Sequence, residues 1–119
     1  MKLLTSLVTD LAGIAAGTVD VPWKPYRDGV DIHHLYGEEG GSAAALLRYA
    51  PGASIPAHEH VGYEHIFVVR GSQIDPRGTH RQGTLVINPP GTHHDVRAPE
   101  GCVVLAIWER PVVFLDQNA

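Results

Sequence analysis

Two glycine-punctuated segments that share four metal-type ligands constrain this chain more than anything else in it. In the first, five residues separate Gly52 from His58, one separates His58 from His60, three separate His60 from Glu64, and six separate Glu64 from Gly71. In the second, five residues separate Gly83 from Pro89, one separates Pro89 from Gly91, and two separate Gly91 from His94. Successive side chains on a strand point to opposite faces. His58, His60 and Glu64 share one parity, so a strand pair can aim all three at one interior, with Gly62 marking a bend or bulge between them. The run Asn88, Pro89, Pro90, Gly91 is a strong turn signal and opens a new strand with His94 near its start. His94 shares its parity with Val96, which turns His93 outward with Asp95 and Arg97. Three imidazoles and a carboxylate at these spacings imply one divalent metal held inside a small β-barrel, and neutral imidazole suits Zn, Cu, Fe and Ni.

The rest of the chain supports a barrel. Alternating or two-faced apolar runs over residues 30–36, 42–49, 54–58, 64–70, 83–88, 94–98 and 103–108 read as short strands, with a last edge strand over 111–115. Gly/Pro turns separate them, a pattern of all-β barrels and jelly rolls. Residues 19–26 read as extended, and Pro22 and Pro25 limit them to an edge or an arm. Residues 72–82 read as a short connector with a tight turn at Asp75, Pro76, Arg77 and Gly78. Leu3, Leu4, Leu7, Val8, Leu11, Ile14 and Ala15 recur at helical spacing and predict an amphipathic helix ended by Gly13 or Gly17. Thr5, Ser6, Thr9 and Asp10 interrupt any continuous apolar run there, so the segment reads as neither a secretory leader nor a membrane span. The expected organisation is one domain over 1–119: a helix in 1–17, an arm and strands in 18–41, a barrel core in 42–110 and an edge segment in 111–119.

Composition narrows the partners. The 119 residues carry a formal net charge of −4 with no run of Lys or Arg, which argues against nucleic acid. The single cysteine, Cys102, cannot form an internal disulfide and suits a reducing cytoplasm, where it is expected to pack as a small hydrophobe. An apolar helix stripe and a late edge segment at residues 112–115 both call for cover, which predicts a homodimer.

The two segments resemble the paired motifs of the cupin superfamily over roughly the second half of the chain. Every fixed position of the first motif is present. The second motif usually closes with an Asn four residues after its His, where this chain has Ala98; that position is not a ligand. The run from Leu46 to Gly52, with Arg48, Tyr49 and Pro51, and the later pair Gly101 and Cys102, resemble the ChrR-like cupins. That group includes the sensory half of zinc-dependent anti-sigma factors and free-standing relatives resembling iron dioxygenases of diketones and aromatic ketones. The resemblance implies a single-domain cupin (double-stranded β-helix, or jelly roll) behind a short helix, with one divalent metal held by His58, His60, Glu64 and His94. Fe, Zn, Mn and Ni all fit such a set, with Fe or Zn favoured. It does not extend to the anti-sigma activity, whose helical zinc domain needs paired cysteines.

Four protein ligands on a six-coordinate ion leave positions for a small molecule. The function expected is therefore a small metal-dependent enzyme of dioxygenase type acting on a diketone- or hydroxyketone-like substrate. A non-catalytic cupin sensing a small molecule or metal, like the ChrR sensory half, is the other reading, and a purely structural metal a third. Other residues read as less committed. His33 and His34 belong to surface or core packing, His80 to a solvated connector, and His65 and His93 to the outer face. Tyr63 has the wrong parity for the cavity, Arg48 could meet an anionic substrate, and Trp108 could wall the cavity or fill the core.

Overall fold

The computed structural model describes residues 7–37 and 39–115. Ten strands follow one short helix: α1 (Leu11–Ala16), β1 (Lys24–Arg27), β2 (Val30–Gly37), β3 (Ala43–Tyr49), β4 (Ala53–Glu59), β5 (Glu64–Asp75), β6 (Gly78–Arg81), β7 (Leu85–Asn88), β8 (His93–Ala98), β9 (Cys102–Trp108) and β10 (Val113–Phe114). All pairings are antiparallel, in the order β1-β2-β3-β9-β5-β8-β4-β10, with β6 and β7 also on β5. The sheet curls into a half-barrel around a core that includes Val30, Leu47, Ile66, Val68, Val96 and Val104.

β5 joins the two walls. Its first half pairs with β7 and β9, and its second half with β6 and β8. The corner lies at Gly71, with φ 78°, where a Cβ would stand 2.5 Å from the Gly101 carbonyl oxygen. Only glycine accepts that conformation and that approach. Gly71 was expected to end a strand; instead the strand continues to Asp75 and turns back as β6, so residues 72–82 are mostly hairpin rather than loose connector.

The strands otherwise lie near the expected segments, and the apolar-in, polar-out alternation of β7 and β8 is explicit in their burial. The N-terminal helix is shorter than the periodicity suggested. Leu7 and Val8 lie exposed before it, because Asp10 accepts from the Gly13 amide and caps the helix there. Gly17, at φ 84°, ends it. Leu3, Leu4, Thr5 and Ser6 fall outside the described residues. Among the described residues no helix is long and apolar enough to cross a membrane.

Candidate metal centre

His58, His60, Glu64 and His94 are all buried, and one potential ligand atom from each lies within 4.8 Å of every other. They reach this point from both walls. His58 on β4 sits directly across from His94 on β8, with ring centroids 4.7 Å apart. His60 lies just past β4, tied by backbone bonds to the turn before β8: its amide donates to the Thr92 carbonyl and its carbonyl accepts from Gly91, each at 2.8 Å. Glu64 opens β5 on the other wall. The parity expectation therefore holds for which side chains point inward but not for how they meet, since β4 and β5 are not paired. The chain bends at Val61 and Gly62 as expected, and β4 carries a further irregularity around Pro56, where the register shifts between Ile55 and His58.

The outer partners fix the imidazoles. His58 Nδ1 donates to the Pro56 carbonyl at 2.9 Å, and His94 Nδ1 donates to Asp75 Oδ2 at 3.0 Å. The Thr92 hydroxyl donates to the Pro89 carbonyl at 2.6 Å, so its oxygen accepts from His60 Nδ1, 2.9 Å away. Each Nδ1 thus carries the proton, and each Nε2 presents a lone pair inward, the tautomer of a metal-ligating histidine. Burial lowers the affinity of His58 for a proton, and burial lowers that of His94 although Asp75 pulls it up. Both favour the neutral ligand form.

Glu64 is held by its immediate cross-strand neighbours. Asn88 on β7 and Trp108 on β9 face it in register; Asn88 Nδ2 donates to Oε1 at 2.8 Å, and the Trp108 indole donates to Oε2. Two N–H donors favour the carboxylate anion. His60 Nε2 lies 3.1 Å from Glu64 Oε1, yet that buried nitrogen has no hydrogen-bond partner. With the His60 proton on Nδ1, a nitrogen lone pair faces a carboxylate oxygen, an arrangement that a cation between them turns from repulsive to favourable. The donor set therefore fits a metal ion.

Behind the four candidate ligands sits a polar layer that the sequence concealed. Asp75 was read as part of a tight turn, but its side chain is fully buried. Burial alone would push its carboxyl up; hydrogen bonds from Arg77, His80 and His94 instead hold it well below the usual carboxylate range. His80 is correspondingly not the solvated residue expected: its side chain is 14% exposed and its Nε2 lies 2.8 Å from Asp75 Oδ1. Asn88 shares inward parity with Val86, a signal present in the sequence but absorbed there by the turn reading.

The cavity in front of the ligands has a volume of about 20 Å³ and is bounded by His58, Glu64, His94, Tyr49, Gln73 and Phe114, among others. That is room for about one water. Trp108 both lines this cavity and contacts Glu64. A second, apolar cavity of about 290 Å³ lies behind the shared residues Tyr26, Trp108, Val112 and Phe114. Burial raises the Tyr49 phenol well above its ordinary range and pushes the Cys102 thiol up to about 12, so neither is an anionic nucleophile at neutral pH. His93 and Tyr63 are exposed and His65 is half-buried. Arg48 faces outward, paired with Asp31 at 2.8 Å and stacked over Trp23. His33 Nδ1 lies 3.2 Å from the Pro22 carbonyl oxygen, and His34 is exposed.

A half-barrel with three inward histidines and one glutamate that could hold a metal ion is the arrangement of a cupin. The chain belongs to the ChrR cupin-like domain family, whose model matches residues 12–113. No functionally curated protein matches the sequence. Among solved structures, an RmlC-like cupin from Ralstonia eutropha is 22% identical with a TM-score of 0.71, covering 82% of this chain and 68% of its own. A chain in the complex of Rhodobacter sphaeroides SigE with the anti-sigma ChrR is 28% identical at TM-score 0.67, covering 75% of this chain. This protein spans only 49% of that chain. An acetylacetone dioxygenase from Acinetobacter johnsonii is 19% identical at TM-score 0.75, covering 99% of this chain and 84% of its own. At these identities the first and third show the shared fold alone.

Proposed function

We propose that this protein binds one divalent metal through His58, His60, Glu64 and His94 and acts as a small metal-dependent dioxygenase on a diketone- or hydroxyketone-like compound. The observation that carries the metal assignment is the lone pair of buried His60 Nε2 set 3.1 Å from a Glu64 oxygen, beside two further histidines whose Nδ1 protons are tied down. A divalent ion in such a set supplies Lewis acidity, and a redox-active one adds electron transfer. The chain's own residues do the rest. Glu64, engaged at both oxygens by Asn88 and Trp108, serves as a fixed ligand rather than a mobile base. The neutral Tyr49 hydroxyl and the Gln73 amide line the cavity as hydrogen-bonding groups for an uncharged oxygenated ligand. Likeness to the acetylacetone dioxygenase over nearly the whole chain supports the reading at the level of fold.

A sensory reading has its own support. The cavity of about 20 Å³ has no room for a diketone without movement of its wall, and the chain in the SigE–ChrR complex shares more identity than the dioxygenase does. Metal analysis of untagged protein, joined to oxygen uptake with a panel of diketones, separates the two. Near-stoichiometric metal with diketone-dependent oxygen consumption is the expected result. Stoichiometric metal and ligand binding without oxygen uptake would replace the enzyme with the sensor, and absence of metal would reject both.

A further inference from the structure

Arg77 sits at the tip of the β5–β6 hairpin, its side chain 49% exposed, and belongs to no motif. Its Nη2 nonetheless reaches two buried groups, lying 2.8 Å from Asp75 Oδ2 and 2.6 Å from Asn88 Oδ1. Each of these holds a different member of the candidate ligand set: Asp75 accepts from His94 Nδ1, and Asn88 donates to Glu64 Oε1. We propose that Arg77 is a positioning residue for the metal centre, fixing His94 and Glu64 together through Asp75 and Asn88. The proposal rests on the metal reading given above.

The hydrogen-bond inventory explains why one guanidinium is needed. Asn88 must present its NH₂ to Glu64, because its carbonyl there would face a carboxylate. An amide can flip, and a donor on the opposite side adds to the bias that the Glu64 carboxylate already sets against the flip. Arg77 Nη2 is that donor. Asp75 must hold its carboxylate toward His94 while buried. Besides His94 Nδ1 and His80 Nε2 it receives the Arg77 backbone amide at 2.9 Å, Nε at 3.2 Å and Nη2, so Arg77 wraps the carboxylate from three points. A planar fork can serve a carboxylate and an amide oxygen at once; a lysine ammonium is a point charge on a flexible stem and holds fixed geometry less well. Asp75 and Asn88 are both buried, so losing the guanidinium leaves a carboxylate and an amide oxygen short of a donor and also costs some folding stability. The effect that marks positioning is on ligand orientation; removing groups hydrogen-bonded to metal ligands, as Asp75 and Asn88 would be, weakens metal binding by about 10- to 100-fold in well-studied sites.

The test uses the full chain as wild type, Arg77→Met and Arg77→Lys. Zinc and cobalt affinities are measured by competition with a chromophoric chelator, together with the visible spectrum of the cobalt(II) form and the melting temperature of the metal-free protein. Arg77→Met should lose at least about tenfold in affinity and shift the cobalt bands, Arg77→Lys should recover part of both, and the metal-free melting temperature should fall modestly as Asp75 and Asn88 lose a donor. On an Asp75→Ala/Asn88→Ala background, Arg77→Met should cause no further loss. Wild-type affinity and spectrum in Arg77→Met would overturn the proposal, as would a lowered metal-free melting temperature with unchanged affinity, which is the mark of a hairpin clamp. A further loss on the double background would overturn the route through Asp75 and Asn88. Wild-type protein that holds neither metal would overturn the metal reading itself, an outcome separate from all of these.

Discussion

The Thr92 hydroxyl accepts the Nδ1 proton of His60 while donating its own proton to the Pro89 carbonyl. One side chain from the turn before β8 thereby settles the tautomer of a ligand 32 residues earlier. Thr92→Val keeps the shape and removes the acceptor. The His60 N–H is then left without a partner, at a cost of about 1–3 kcal/mol, and can move to Nε2, where it blocks the lone pair. Thr92→Val should lower metal affinity about tenfold, measured by chelator competition; undiminished affinity would show that the backbone bonds to His60 suffice.

His93 and His94 are adjacent and opposite in fate, one exposed and the other buried against Asp75. His94→Ala should strip most of the metal, whereas His93→Ala should retain it, by elemental analysis of the purified variants. Because the ligands come from separated strands, metal binding adds to folding free energy. Chelation of the wild type should therefore lower the melting temperature, and His94→Ala should be insensitive to chelator. A reversed ranking, or equal metal loss in the two variants, would show the strand assignment at β8 to be wrong.

The four candidate ligands were legible because strand parity is a local property. His58, His60, Glu64 and His94 carry their inward direction in the alternation of their own neighbours. What was illegible is set by tertiary proximity. Asp75 lies 19 residues from His94 and 13 before Asn88 in a segment whose Asp-Pro-Arg-Gly composition is fully explained by a turn. Turn propensity hid a buried carboxylate, and with it the roles of Arg77 and His80. The length of β5 was hidden for a related reason: Gly71 normally punctuates a strand, and here its positive φ lets the strand round a corner against Gly101. The bend at Gly62 was legible from the glycine, whereas the register shift in β4 was not: Pro56, without an N–H for the ladder, lies within it.

The outer face of the β5–β7–β9 wall carries Leu85, Ile87 and Ile107, 54%, 46% and 39% exposed, with His65 and Phe67 between them in register. Neighbouring apolar side chains on an open sheet face call for cover that isolated ones do not, and a homodimer through this face is expected. Light scattering of the wild type should give a dimer at micromolar concentration, and Leu85→Glu/Ile87→Lys a monomer with intact metal content. A wild-type monomer would reject the dimer, and a variant that stays dimeric would move the interface to another face.

Glu64→Gln tests the ligand shell most directly, because the surroundings of Glu64 are built for an acceptor at both ends. Asn88 Nδ2 and the Trp108 indole each point a hydrogen at one carboxylate oxygen. A glutamine has one oxygen and one NH₂, so whichever way it sits, a donor meets a donor. Arg77 holds the Asn88 amide by its oxygen, so Asn88 cannot flip to relieve the conflict without losing that bond. Trp108 has no acceptor to offer. The substitution thus removes the anionic ligand and also disorders its support, and metal content and any turnover should fall together. Stability of the metal-free protein should fall by about 1–3 kcal/mol from the mismatched donor. A general-base role predicts a different pattern, normal metal content with slow turnover. If Glu64→Gln keeps full metal and loses only rate, Glu64 belongs to the proton chemistry, and the lone pair of His60 Nε2 must be satisfied by an ion held through the three histidines alone.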